Sequence, residues 1–263
     1  MPRVFATHYD SATGECLLLL EDIRHMRFGD NLAGSTLDEA RQVVTNLASM
    51  QSLFWNNERL RNCSWLRGDG PDAAASLQLY RAMVPVFEKR WKGILPEELR
   101  LTARTFGDCM EAWLKQLASG DFTLTHGDFR PDNFAFDQAG TIVVFDWQTA
   151  RRSANSRDLA YFMTFALPVE LRRSHETELL ELYHQSLLAK GISNYTMQQV
   201  WKDYRRSLGS ALIVTVVSGA MLDFSSERGA KLLQAIWNRV GAAIVDHDYA
   251  AWLPSHVGLP RSN

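Results

Sequence analysis

The sequence contains few cysteines, and their spacing excludes the sites that cysteines most often build. Its three cysteines, Cys16, Cys63 and Cys109, are an odd number and lie far apart along the chain. No pair therefore has the close spacing of a zinc knuckle or a redox motif. Buried or incidental thiols in a reducing compartment are the simplest interpretation, which predicts a cytoplasmic protein.

The sequence also lacks long apolar segments. Residues 1–5 begin no apolar run that ends in a small-residue cleavage site, so no secretory signal peptide is predicted. The most apolar stretch, 208–222, contains glycine, serine and threonine and is shorter than the roughly 20 residues that a membrane helix needs. We predict a core helix there and no association with a membrane.

An excess of charge of either sign is absent as well. The 28 lysines and arginines nearly balance the 30 aspartates and glutamates. Such a chain has no general attraction to nucleic acid, so we predict no nucleic-acid partner, although a local basic site is compatible with the balance. Hydrophobic residues make up 46% of the 263 residues, which is enough for one large core or two smaller ones.

Apolar periodicity and turn residues divide the chain into strands and helices. Residues 4–9 and 16–20 are predicted to form a hairpin whose second strand is largely buried. Thr36 and Glu39 have the spacing of a capping box, which predicts a helix that ends at about Trp55 and is followed by a loop at 56–73. Further helices are predicted at 74–91, 96–118, 158–166, 169–190, 196–221 and 227–246, and further strands at 134–136 and 141–145. The pattern indicates an α+β fold that is mostly helical.

The most informative segment is a polar loop before one of the short strands. Residues 126–133 read His-Gly-Asp-Phe-Arg-Pro-Asp-Asn, and Phe-Asp-Trp follows at 145–147. Pro131 lets the loop fold back, and a tight turn at Gly140 returns the second strand beside the first. We therefore expect Asp128, Asn133 and Asp146 to face one cleft.

Phosphoryl transfer to an alcohol requires such a set of side chains. A carboxylate orients the hydroxyl and accepts its proton, while hard oxygen ligands hold magnesium on the phosphates. Asp128 suits the first task, and Asn133 and Asp146 suit the second. Each residue alone also has a structural explanation, as a turn cap, a local backbone partner or the end of a strand. Their joint order and spacing favour the functional interpretation.

These residues resemble the catalytic and metal-binding signature of aminoglycoside phosphotransferases, choline kinases and ecdysteroid-kinase-like proteins, which share the protein-kinase-like fold. The Asp-Trp-Gln run at 146–148 is most similar to the last group. Residues 18–23 resemble the final strand of the N-terminal lobe and the hinge between the lobes, and 157–160 resemble the helix after the active site. The resemblance implies a remnant of the N-terminal lobe at 1–23 and a helical phosphotransferase lobe with a small catalytic β-insert at 24–263.

The resemblance also implies a role for each matching residue. Asp128 would be the catalytic base, and Asn133 and Asp146 would bind magnesium and thereby ATP. Backbone groups near Glu21 and Ile23 would contact the adenine edge. The implied activity is an ATP- and Mg²⁺-dependent kinase that transfers the γ-phosphate to a hydroxyl of a small metabolite.

Three other residues belong to the same comparison. His126 would order the loop without reacting, and Asp158 would brace the loop through hydrogen bonds. Gln51 departs mildly from the family pattern, since a histidine is common near the end of that helix. This departure affects no catalytic residue.

The acceptor would lie against the helical lobe. Candidate lining residues are Asp128, Arg130, Trp201, Tyr204, Phe224 and Trp237, although such aromatic residues are more typical of a core. The C-terminal helices have no dense acidic cluster beyond Glu176, Glu178 and Glu181, which disfavours a polycationic antibiotic. A neutral or apolar alcohol, such as a sterol-like or other lipophilic metabolite, is favoured.

The family's phosphate-binding features that would precede the hairpin are missing from this sequence. Complete members carry a glycine-rich loop over the phosphates, a lysine that pairs with them and a helical glutamate, whereas the first lysine here is Lys89. The sequence therefore predicts little or no kinase activity for this polypeptide as written, and a hairpin with an uncovered apolar face. A late gene start, a fragment or a shortened binding protein would each explain the gap, and the intact catalytic residues favour the first two.

Two rival functions stay open at this level. A non-catalytic module that binds a small molecule or a protein is compatible with the gap, whereas the intact Asp128, Asn133 and Asp146 disfavour it. A hydrolase has less support, because the sequence has no Gly-x-Ser-x-Gly motif and its histidines are dispersed.

Overall fold

The computed structural model describes residues 1–69 and 73–257. The described helices are α1 Leu37–Ser52, α2 Ala73–Arg90, α3 Glu97–Ser119, α4 Ser156–Phe165, α5 Val169–Ala189, α6 Met197–Met221, α7 Glu227–Asp246 and α8 Tyr249–His256. The strands are β1 Val4–Tyr9, β2 Cys16–Leu20, β3 Arg27–Phe28, β4 Arg67–Gly68, β5 Phe122–Thr125, β6 Phe134–Phe136, β7 Ile142–Val144 and β8 Arg151–Ala154. The predicted α+β architecture is confirmed.

Local sequence signals set most of the helix boundaries. The capping box at Thr36 and Glu39 is formed in both directions, with each side chain accepting a bond from the other residue's amide, so α1 begins where predicted. A second capping box at Thr196 and Gln199 begins α6. Helix α1 ends at Ser52, a few residues earlier than predicted, and α8 extends the helical region beyond the predicted helices.

Two three-stranded sheets hold the segments on either side of the polar loop at 126–133. Strands β6 and β7 form the predicted antiparallel hairpin, and β3 pairs with the outer edge of β6. Strand β8 lies between β5 and β4, antiparallel to the first and parallel to the second. The predicted loop at 56–73 therefore contains a strand, β4, because a two-residue strand made by distant pairing leaves no local pattern in the sequence.

The first hairpin differs from its prediction in burial. Strands β1 and β2 pair as predicted, but Leu17, Leu18 and Leu19 are 60%, 56% and 55% exposed, so the prediction of a largely buried second strand is wrong. No other described strand pairs with this hairpin. Its apolar face is uncovered, as the comparison with complete kinases led us to expect.

The apolar stretch at 208–222 is a core helix. It forms most of the second half of α6, where Leu208, Leu212 and Val216 are buried against α2 and α4. Among the described helices, none has the length and apolarity required to cross a bilayer.

Two helical glycines give a matched test of this packing. A Cβ at Gly209 in α6 would lie 2.5 Å from the Phe106 ring and 2.8 Å from the Tyr249 hydroxyl, whereas a Cβ at Gly241 in α7 would meet no atom within 4 Å. We expect Gly209→Ala to lower the free energy of unfolding by about 1–3 kcal/mol through overpacking. Gly241→Ala should raise it by about 0.5–1 kcal/mol through helix propensity. Urea unfolding measures both, and equal effects would contradict the described packing.

Candidate active site

The Asp128 carboxylate lies at the centre of the loop between β5 and β6. Asn133 Nδ2 donates to the Asp128 backbone oxygen at 2.8 Å and to Asp128 Oδ2 at 3.0 Å. Pro131 begins a short 3-10 turn that ends at Asn133, and this turn brings the amide back onto Asp128. The expected convergence of these two side chains is thus present as a direct contact.

Two further side chains fix the Asp128 carboxylate. The Tyr161 hydroxyl donates to Asp128 Oδ1 at 2.9 Å, and Arg130 Nε donates to Oδ2 at 3.1 Å. Burial, followed by the charge of Asp128, raises the pKa of Tyr161 well above its ordinary value, so the phenol stays a donor. Burial opposes the charge of Arg130, but Asp128, Tyr161 and Asp132 together outweigh burial and raise the pKa of the guanidinium. Both oxygens of the carboxylate are therefore oriented.

Asp158 at the start of α4 holds the beginning of the loop. Its buried carboxylate accepts the amide of His126 at 2.6 Å and the amide of Gly127 at 3.0 Å. Burial raises the pKa of Asp158, and the two amides and the nearby charge of Arg157 oppose that shift. The bracing contact implied by the family resemblance is present.

His126 links the loop to the end of β7. Its Nδ1 accepts the amide of Asp128 at 3.3 Å, so Nε2 carries the hydrogen and donates to the Phe145 carbonyl at 2.8 Å. The Phe145 amide in turn donates to the Asn133 carbonyl at 3.1 Å. These bonds place the residue after Phe145, Asp146, beside the loop.

Asp146 has a left-handed backbone, with φ 62° and ψ 59°, and an exposed side chain. Such a conformation is uncommon for a residue other than glycine, and strained residues cluster at functional sites. Among the described residues, its carboxylate bonds neither Asp128 nor Asn133, and only Gln148 Nε2 approaches it, at 3.4 Å. The backbone therefore brings Asp146 to the site, while its carboxylate stays available.

The donor set fits magnesium better than zinc. Asn133 uses its Nδ2 as a hydrogen-bond donor, which leaves Oδ1 as an oxygen ligand, and Asp146 offers a carboxylate. Magnesium is commonly held by one or two such oxygens together with phosphates and water. The described residues contain no group of three or more histidines, cysteines or acids that could hold a metal.

The predicted hinge residues lie at the end of the first hairpin. The Glu21 amide donates to the Arg3 carbonyl at 2.8 Å, and the Ile23 carbonyl accepts the Met26 amide at 2.9 Å. Within the described part of the chain, the Glu21 carbonyl and the Ile23 amide have no hydrogen-bond partner. These two groups have the alternating acceptor and donor character that an adenine edge requires.

Gln51 occupies the helix position where the family commonly has a histidine. Its Nε2 donates to the Asn155 carbonyl at 2.8 Å, its Oε1 accepts the Tyr183 hydroxyl at 2.6 Å, and its carbonyl accepts the Thr123 hydroxyl at 2.8 Å. The departure from the pattern thus leaves a satisfied buried contact that joins α1 to β5, to α5 and to the residue before α4.

The aromatic residues considered as acceptor lining belong mainly to the core. Tyr204 and Trp237 are buried, and Trp201 and Phe224 pack against the same core. A cavity of about 810 Å³ opens elsewhere, beside Gly127, between α2, α3, α6 and the β4–β8 pair. Sequence patterns did not indicate this cavity.

Comparisons with known proteins indicate one family and one fold. A profile of the Ecdysteroid kinase-like family matches residues 1–192. No curated protein matches the chain significantly.

Solved structures give a consistent likeness at low sequence identity. A choline kinase from Cryptosporidium parvum is similar with a TM-score of 0.56 and 15% identity over 96% of this chain and 77% of that one. A protein from Ralstonia eutropha assigned as an aminoglycoside phosphotransferase gives 0.57 and 14% over 95% and 77%. A choline kinase from Streptococcus pneumoniae gives 0.51 and 13% over 89% and 73%. At these identities the likeness shows the protein-kinase-like fold alone.

Asp158→Asn tests the brace. An asparagine can accept from one of the two amides but presents its own N–H groups to the other, so we expect the free energy of unfolding to fall by about 2 kcal/mol. Asp108→Asn, at an exposed position of α3, is the control and should leave that free energy unchanged. Equal stability of both variants in urea unfolding would show that the Asp158 contacts do not hold the loop.

Proposed function

Because the chain belongs to the Ecdysteroid kinase-like family, we propose that it carries the catalytic lobe of a kinase that transfers the γ-phosphate of ATP to a hydroxyl of a small metabolite. One observation carries this proposal. The Asp128 carboxylate is held by Asn133 on a loop that Asp158 braces, and Gly127, the preceding residue of that loop, lines a cavity large enough for a metabolite.

Asp128 orients the acceptor and accepts its proton. The acceptor oxygen attacks the γ-phosphorus, the bond from that phosphorus to the departing ADP oxygen breaks, and the hydroxyl proton passes to Asp128. A carboxylate is a weak base, but a loose transition state depends mainly on positioning and on charge neutralisation. Tyr161 and Arg130 keep the carboxylate in place during the reaction.

Asn133 and Asp146 would hold magnesium on the phosphates. The ion supplies neutralisation of the phosphate charge when it is bound. The Asp146 carboxylate is exposed, and among the described residues it bonds neither Asp128 nor Asn133. This assignment rests on the oxygen chemistry of the two side chains and on their adjacency through Phe145.

We propose that the adenine of ATP binds at the end of the first hairpin. The Glu21 carbonyl and the Ile23 amide would bond the adenine edge, and residues 1–23 and 24–263 would then belong to different lobes. Their lack of intramolecular partners in the described residues supports this role.

The charge that would neutralise the ATP phosphates is only partly supplied by these residues. The printed sequence contains no lysine before Lys89. We propose that phosphoryl transfer by this polypeptide is weak, and that a segment with such a lysine is needed for full activity. The alternative is a non-catalytic binding module that uses the same cavity.

The acceptor is proposed to be a mainly apolar alcohol. Helices α3 and α6 supply an apolar wall to the cavity, while arginines from β4, β8 and α4 also line it. Choline, after which two of the structural neighbours are named, is a cation and would be repelled by these arginines.

Asp128→Asn tests the role of the base. The amide cannot accept the proton, so we expect the transfer rate to fall by about 100-fold or more. The assay measures transfer of labelled γ-phosphate from ATP to a panel of alcohols, with the chain alone and with the N-terminal lobe of a related kinase fused to it. Asp38→Asn, an exposed residue of α1, serves as the control. An active Asp128→Asn enzyme would contradict the assignment.

Thermal unfolding with nucleotide tests the magnesium ligands. ATP at a concentration equal to its Kd stabilises a protein by about 0.4 kcal/mol, and without a phosphate-binding lysine we expect stabilisation by millimolar MgATP to stay below about 1 kcal/mol. This stabilisation should disappear in Asp146→Ala and with ATP in EDTA. A stabilisation that survives both changes would contradict the assignment of Asp146 as a magnesium ligand.

A further inference from the structure

The cavity beside the catalytic loop has a cationic end built by the pairing of β4 with β8. In that parallel pair, Arg67 lies directly opposite Arg151, and both residues line the cavity. Side chains opposite each other on adjacent strands share a face, and like charges there are destabilising. Arg157 at the start of α4 adds a third positive charge to the lining.

Asp69 is the acidic residue in the described lining, and both oxygens of its carboxylate already have partners. Its Oδ1 lies 3.6 Å from Arg157 Nη1, while its Oδ2 accepts the Ser153 hydroxyl at 2.6 Å and the Ala154 amide at 3.3 Å. Asp69 therefore balances Arg157. In the part of the chain that the structure describes, Arg67 and Arg151 form no salt bridge.

Arg151 is the more constrained of the two arginines. Its buried Nε has no hydrogen-bond partner among the described residues. The charge of Arg157, followed by burial, lowers the pKa of Arg151 to about 10, so the guanidinium is still charged at neutral pH. The charges of Asp69 and Asp158 offset part of this repulsion, but within the described residues neither carboxylate bonds the Arg151 Nε, and an anion at this position would supply that bond.

The opposite wall of the cavity is apolar. Its lining includes Leu79, Met110, Leu114, Ile213, Val214 and Val217. Gly127, which precedes Asp128, and Thr149, whose hydroxyl bonds the His126 carbonyl at 2.8 Å, form the side nearest the catalytic loop. The cavity thus combines an apolar wall, a cationic end and access to the catalytic loop.

We propose that the ligand of this cavity is an amphipathic alcohol that carries a compact anionic group, such as a carboxylate, bound by Arg151 and Arg67. The inference deepens the proposed function and rests on it, since the hydroxyl of the same molecule would be the phosphate acceptor. The apolar body would lie against α3 and α6. The arginine pair would distinguish this acceptor from a neutral alcohol of the same size.

A matched series of ligands tests the proposal in the absence of nucleotide. Omega-hydroxydecanoate, decanediol and aminodecanol share a ten-carbon chain and differ in one terminal group. Calorimetric titration of the full chain should show that the carboxylate binds at least about tenfold more tightly than the diol. The amine should bind most weakly. Equal affinities for the carboxylate and the diol would overturn the proposal.

Two arginine variants separate a specific contact from general charge. Arg151→Gln should reduce the affinity for the carboxylate to that for the diol. Arg152→Gln makes the same charge change one residue later in β8, where the side chain lies over the Phe122 ring rather than in the cavity lining, and should change affinity by less than about twofold. Equal losses in both variants would contradict the assignment.

The stability of the unliganded variants gives a second measurement. Arg151→Gln removes a charge that Arg157 and Arg67 repel and that forms no salt bridge among the described residues, so it should fold about as stably as the parent chain. A loss of stability would assign Arg151 a structural role and contradict the proposal. Preference for the carboxylate without phosphoryl transfer, even when the N-terminal lobe of a related kinase is fused to the chain, would retain this ligand assignment and reject the kinase. Equal phosphoryl transfer to the diol and to the carboxylate would support the kinase and reject this ligand assignment.

Discussion

The buried carboxylate of Asp158 is the contact on which the active-site loop depends. It accepts the amides of His126 and Gly127, which are consecutive residues at the point where the loop leaves β5. With that point fixed, His126 can bond the end of β7, and Asp128 follows at a defined position. A charged acceptor removed from water makes strong bonds to amides, so one helix terminus orders both halves of the site.

The same region connects the catalytic loop with the proposed acceptor cavity. Gly127 has φ 85°, and a Cβ there would lie 2.5 Å from the Thr149 carbonyl, so only glycine allows the close approach of the loop to the segment after Asp146. Beyond Thr149 the chain enters β8, which carries Arg151 into the cavity. The proposed catalytic residues and Arg151 therefore lie on one continuous stretch of backbone.

The sequence predicts local features well and distant pairing poorly. The capping box at Thr36, most helix bounds and the β6–β7 hairpin follow from patterns within a few residues. The pairing of Arg67 with Arg151 joins segments far apart in the chain, so neither β4 nor the cavity had a signature. The apolar run of β2 indicated a strand, but whether a partner covers it depends on tertiary contacts. Tyr161 was missed, although it follows Asp158 by one helical turn and so faces the same loop.

A crystal structure of the chain with Mn²⁺ and a non-hydrolysable ATP analogue tests the central claim most directly. The account predicts an anomalous peak bonded to Asn133 Oδ1 and the Asp146 carboxylate, with the γ-phosphate on the side of Asp128 and the adenine at Glu21 and Ile23. A metal bound away from Asn133 and Asp146, or a γ-phosphate that Asp128 cannot approach, would contradict it.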